Sequence, residues 1–180
     1  MNAENIIGRK QELETLDRLF NSAKSEFLAI YGRRRVGKSY LIEEAFRNDI
    51  IFSAIGMYHK KKKGLTEEQG TKEDASYKKL QLKHFHANLV QYGLDPSMPV
   101  PSTWLEAFTL LRILLSKSTA KKKWCLLMNF LGSEVPSHPN WLKSLDSSGT
   151  TWAVKQRNIF LIVCGSATSW MLDNVIRDYG

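Results

Sequence analysis

The chain holds little cysteine, little proline and no long apolar run. Its 180 residues include two cysteines and five prolines. Two thiols exclude a disulfide-stapled secreted scaffold. Cys125 and Cys164 each lie in a short apolar stretch, Trp124–Met128 and Ile159–Cys164, where buried free thiols on neighbouring strands are expected. No Cys/His spacing resembles a zinc site. His84 and His86 flank Phe85; on a helix they point apart, so both are read as surface residues and not as ligands. No apolar run reaches the roughly 18 residues that span a bilayer, which argues against a membrane-spanning helix. Residues Met1–Asn5 lack the basic-then-apolar pattern of a secretory leader, so a cytoplasmic location is expected. No internal repeat is visible.

What is present fits one globular domain over residues 1–180, with 43% hydrophobic and 24% charged residues. The formal charge is +8, with basic runs at Lys60–Lys63 and Lys121–Lys123. Such runs are either solvated loops or a surface for an anionic partner, a nucleotide or DNA. No helix-turn-helix, RNA-recognition or zinc motif accompanies them.

Apolar spacing divides the chain into elements. Leu13, Leu16, Leu19 and Phe20 form one helical stripe. Phe27–Tyr31, bounded by the polar Asn21–Ser25 and by Gly32, reads as a buried parallel strand. A helix follows from Lys38, with Leu41, Ile42, Ala45 and Phe46 on its buried face, and then a strand, Ile50–Ile55. The polar, lysine-rich residues 57–78 are expected to be a loop insertion, and Leu80–Tyr92 a helix closed by Gly93. Pro96, Pro99 and Pro101 mark a turn, after which Ser102 is the expected cap of a helix carrying Glu106, Phe108, Leu111, Leu114 and Leu115. Trp124–Met128 and Ile159–Cys164 are two further strands, with a short helix near Trp141–Leu145 and a last one over Ser169–Ile176. Strands alternating with helices predict a parallel sheet covered on both faces, an α/β three-layer sandwich.

One motif carries chemistry. Residues Gly32-Arg33-Arg34-Arg35-Val36-Gly37-Lys38-Ser39 match G-x-x-x-x-G-K-S/T without a gap, with an apolar strand before and a helix after. The glycines permit backbone angles that aim successive N–H groups at one anion, and the start of a helix adds its positive dipole end. Main-chain amides between Tyr31 and Tyr40 are therefore expected to wrap the phosphates of ATP or GTP. Lys38 would reach the β- and γ-phosphates, and the Ser39 hydroxyl would be a Mg2+ ligand. Arg33, Arg34 and Arg35 either contact phosphate or form the solvated part of the loop. No Asn-Lys-x-Asp guanine signature follows.

The sequence resembles a prokaryotic AAA-type, STAND-like ATPase family. The likeness rests on Ile7-Gly8-Arg9 with Glu12-Leu13, the loop Tyr31–Lys38, Trp104–Phe108, and Ile162–Met171. It implies an ASCE-type P-loop NTPase fold, favours adenine over guanine, and puts Ile7, Gly8 and Arg9 near the base. It sets Ser166 where a sensor-1 residue holds the attacking water or γ-phosphate; the other reading of Ser166 is a polar residue in a strand-end turn. Such ATPases continue into further strands and a C-terminal part, so this chain is expected to be an N-terminal fragment with a sheet incomplete at its C-terminus. They often self-associate or position other protein domains, and with the basic surface a protein partner or DNA is the alternative to simple ATP chemistry.

The family has a strand ending in Asp-Glu, the Walker B pair that orders magnesium and orients water. Here Asn129 takes the Asp place, with one neutral oxygen for the metal, and Phe130 takes the Glu place. Binding of ATP with little or no turnover is the expectation. Codons for Trp124–Leu131 exist that read Val-Phe-Ile-Asp-Glu-Leu-Pro when entered two nucleotides later, so a local frame displacement would explain this stretch, the other reading being a true loss of catalysis. The coding DNA is expected to yield Ile-Asp-Glu in that second frame; codons unable to do so exclude the explanation.

Overall fold

The computed structural model describes residues 5–33, 35–57, 64, 66–120, 123–128 and 156–166. In chain order these form α1 (Lys10–Phe20), β1 (Glu26–Gly32), α2 (Lys38–Phe46), β2 (Ile50–Ile55), α3 (Glu67–Gln91), α4 (Trp104–Lys117), β3 (Lys123–Met128) and β4 (Ile159–Ser166). The strands make one sheet in the order β1-β4-β3-β2, and every pairing is parallel. The fold is the α/β P-loop architecture expected from the alternating pattern.

The side-chain period of a strand divides the sheet's two faces. On β4, Phe160, Ile162 and Cys164 join one core with Leu16 of α1 and Leu41, Ile42, Ala45 and Phe46 of α2. The intervening Ile159 and Val163 join the other core, with Phe85 and Leu89 of α3 and Trp104, Phe108 and Leu111 of α4. On β3, Leu126 faces the first core, while Cys125 and Leu127 face the second. This is a three-layer sandwich. In β2 the register skips a residue between Ile50 and Phe52 against Trp124 and Cys125. That irregularity lets Ile51 and Phe52 both face the second core. Both cysteines are buried on neighbouring strands, as expected, and complete burial pushes the Cys125 thiol up to about 12.

Three expectations need correction. Residues 67–78 are not a loop: α3 begins at Glu67 and runs for 25 residues. Its start is a capping box. Thr66 Oγ1 accepts from the Gln69 amide at 3.4 Å, and Gln69 Oε1 accepts from the Thr66 amide at 3.1 Å. Glu67 and Glu68 favour the positive end, and Lys72 pairs with Glu68 at 2.7 Å. Tyr77 is the first buried residue of α3. The first turns are solvated and carry no apolar stripe, which is why their polarity reads as loop. Secondly, Thr103, not Ser102, caps α4, accepting from the Glu106 amide at 3.2 Å. Ser102 lies one residue outside and donates its amide to Glu106 Oε2 at 2.8 Å. Thirdly, His86 is buried although His84 is exposed. The two residues lie about 200° apart around the helix, so only one can face solvent.

The remaining joints are local. The turn from α3 to α4 is a Schellman motif, with Leu94 N–H to Leu89 O at 2.9 Å and Gly93 N–H to Val90 O at 3.0 Å. Gly93 takes φ 101°, which a side chain would strain. Beyond β2, Tyr77 Oη donates to the Met57 carbonyl and accepts from Gln81 Nε2 at 2.7 Å, which fastens the end of that strand to α3. The helices expected at Trp141–Leu145 and Ser169–Ile176 lie outside the described residues, as do Lys60–Lys63. Among the described residues no helix is long and apolar enough to cross a membrane.

Phe85 sits edge-on to Phe52, Trp104 and Phe108, with ring centroids 5.4, 5.6 and 5.9 Å away. Phe85→Ala is expected to cost about 3–5 kcal/mol. Urea unfolding checks this as a lower midpoint with an unchanged slope.

Candidate functional site

Parallel strands end on the same side of their sheet, and β1 ends there at Gly32. The chain then turns through positive φ angles, 146° at Gly32, 64° at Arg35 and 77° at Gly37, and enters α2 at Lys38. Gly37 is the N-cap, and its carbonyl accepts the first helical bond, from Leu41 N–H at 3.0 Å. The loop thus alternates hand before a helix start whose first N–H groups lack partners within the helix. Lys38 folds back across this arc. Its Nζ donates to the Gly32 carbonyl at 2.9 Å and the Arg33 carbonyl at 2.7 Å. Arg33 and Arg35 are exposed, and Arg34 lies outside the described residues.

Segment Asn5–Arg9 is fixed beside the loop. The Arg9 guanidinium donates to the Val36 carbonyl. Tyr40 Oη donates to the Asn5 carbonyl at 3.4 Å, and Asn5 Nδ2 donates to Glu44 Oε1 at 2.7 Å. Arg47 Nη2 donates to the other oxygen, Oε2, at 2.6 Å. Gly8 and Arg9 both take positive φ, 75° and 55°. Between the anchors Ile7 is held out to solvent, 97% exposed, with Val36 and Tyr40 also exposed. Of the expected residues Ile7, Gly8 and Arg9, Arg9 reaches the loop, while Ile7 and Gly8 precede it in the chain and are exposed.

Ser39 is half-buried, its Oγ 3.9 Å from Cys164 Sγ on β4. Ser166 pairs in register with Gly32, which puts the backbones of the two strand ends side by side, about 4.8 Å apart. Asn129 and Phe130 lie outside the described residues. Among the described residues no cluster of His, Cys, Asp or Glu gathers as a metal site. A cleft of about 300 Å³ between α1, β1 and α2 is lined by Glu12, Thr15, Leu28, Ile30 and Leu41. It contains no loop residue and adjoins the site without being part of it.

Against known proteins, no family model matches the chain. An uncharacterized ATP-binding protein of Methanocaldococcus jannaschii is 48% identical over 46 residues, which are 26% of this chain and 78% of that protein. The chain belongs to the P-loop ATP-binding proteins. A Walker-type ATPase of Pyrococcus abyssi aligns with 99% of this P-loop chain and 51% of its own, at TM-score 0.45 and 18% identity. This P-loop chain therefore spans about half the length of that ATPase.

The contribution of Asn5 and Glu44 is not contained in any motif. One signal was available: Glu44 stands among the apolar residues Leu41, Ile42 and Ala45, on the face that buries α2, and a buried carboxylate needs a partner. The Asn5 hydrogen bond holds the Glu44 carboxyl below its ordinary value. Burial opposes this, and the Arg47 charge and hydrogen bond reinforce it. A carboxyl so lowered stabilises the fold above its ordinary pKa and ceases to as pH falls through the lowered value. From about pH 5 to about pH 3 the melting temperature of the wild type is expected to fall more steeply than that of Glu44→Gln. Parallel thermal melts over that range check it.

Proposed function

We propose that this chain binds ATP with magnesium at Gly32–Tyr40 and hydrolyses it slowly or not at all. The observation that carries the reading is the strand, alternating-hand loop and helix start with Lys38 folded over the arc. Such a loop presents amide N–H groups to an anion. The carbonyls of Gly32 and Arg33 that now hold Lys38 are neutral, so anionic phosphate oxygens, which add a full charge–charge attraction to the ammonium, are the stronger partners. The residues fit the nucleotide for that reason. They fit the metal because, among the described residues, the Ser39 hydroxyl has a thiol sulfur for its side-chain partner, a weak partner that it can leave.

In this reading, Lys38 follows the β- and γ-phosphates and Ser39 is the protein's ligand to magnesium. When bound, magnesium would supply charge neutralisation to the phosphates. Ile7, Gly8 and Arg9 lie toward adenine, with Ile7 and Tyr40 as apolar surface for the base. Ser166, opposite Gly32 in the sheet register, is the residue we assign to the terminal phosphate. Positioning and electrostatics make up most of phosphoryl-transfer catalysis. With Asn129 and Phe130 in the Asp-Glu places, the sequence offers no obvious carboxylate at those positions to orient water.

Titration with ATP and magnesium should give saturable binding that Lys38→Ala weakens about 10- to 100-fold, the value of a charged hydrogen bond to phosphate. Phosphate release should stay at background. Equal affinity in the variant contradicts the binding site, and release well above background contradicts the loss of turnover.

A further inference from the structure

The segment Asn5–Arg9 is held at both ends by the nucleotide loop and its helix, and one of those ends is a carboxylate in an apolar face. Glu44 is 6% exposed. Its two oxygens are divided between Asn5 at 2.7 Å and Arg47 at 2.6 Å. The Arg47 side chain is 72% exposed, so its contact is the more easily exchanged for water. The Asn5 contact links residues 39 positions apart in sequence. At the far end Arg9 reaches Val36, and a Cβ on Gly37 would lie 3.9 Å from the same guanidinium. In the stretch between, Ile6 packs against the core of α1 and α2, while Ile7 is almost wholly exposed. Ile7 itself is placed by Ile6 and by the two polar ends.

We propose that Glu44, acting through Asn5, is the positioning residue that sets affinity for the base in the nucleotide site. It touches no phosphate. It holds the Asn5–Arg9 strap so that Ile7 presents an apolar surface at the loop mouth, where a purine ring would stack. This rests on the ATP-binding reading above. Phosphate affinity resides in Lys38 and the loop amides, and affinity for the base resides in the strap, so the two can be separated by ligand. A strap that must be ordered on binding takes its ordering cost from the base alone.

The test compares ATP with inorganic tripolyphosphate, both with magnesium, on the full chain by calorimetric titration. Asn5 is exposed, so Asn5→Ala removes the link without opening the core. Glu44→Leu removes it from the other side, and Glu44→Gln keeps a carbonyl oxygen for Asn5. Asn5→Ala and Glu44→Leu are expected to weaken ATP about 3- to 10-fold and leave tripolyphosphate unchanged, while Glu44→Gln keeps the wild-type ratio of the two. If Glu44→Leu does not fold, Asn5→Ala and Glu44→Gln decide. An Asn5→Ala ratio equal to wild type overturns the proposal, whether both ligands weaken together or neither does. A wild-type chain that binds tripolyphosphate but gains nothing from the base also overturns it, while leaving the phosphate loop intact. A wild-type chain that binds neither ligand overturns the ATP reading itself.

Discussion

A parallel sheet must cover both its faces, because its crossover helices pack on both sides and its strands have no solvent side. In this chain that requirement pins every register. A slip of one residue in β4 would turn Phe160 and Ile162 out of the core with α2 and drive them against α4. With β4 fixed, Ser166 comes opposite Gly32, and Cys164 comes opposite Ile30 and close behind Ser39. The phosphate loop itself buries little. Its place is set by apolar residues on either side that never approach a ligand.

Against this apolar frame the polar contacts are few and specific. Tyr77, Gln81 and the Met57 carbonyl fasten the end of β2, and Asn5, Glu44 and Arg47 fasten the N-terminal strap. Both join parts of the chain far apart in sequence, and both act near the edge where the strands end. Packing forces act on volume and leave a strand's exit direction loose. A hydrogen bond at 2.7 Å with a preferred angle restricts it. A buried carboxylate without its partner would be costly, so Glu44 ties the strap's position to the integrity of α2.

Much of this was legible in the sequence because its determinants are local. The strands announce themselves as short apolar runs, and the loop by the spacing of Gly32, Gly37, Lys38 and Ser39. The α2 face is a 3.6-period stripe, and all four apolar residues expected on it are buried. What stayed hidden falls into two kinds. The first turns of α3 rest on a cap, Thr66 with Gln69, in place of an apolar face, so a search for apolar periodicity passes over them. The capping-box spacing was there to be read. The strap was hidden for a different reason: its contacts join residues 27 and 39 positions apart, and no periodicity encodes them. The resemblance picks out Ile7–Arg9, but Asn5 looks like an ordinary polar residue until the fold brings Glu44 of α2 beside it.

Under the ATP-binding reading, holding phosphate and cleaving it draw on different strands. The groups that hold phosphate come from β1, its loop and α2, and their geometry is complete without β3. The carboxylates that would order magnesium and water belong after Met128, at the end of β3, and β4 separates that strand from β1. Two strand spacings come to about 10 Å, with β4 between the two strands. With Asn129 and Phe130 in the Asp-Glu places, as proposed above, the β1 loop keeps its own supports: the register with β4, the Lys38 hydrogen bonds and the strap. Affinity and turnover can part company here because the sheet assigns them to strands that do not touch.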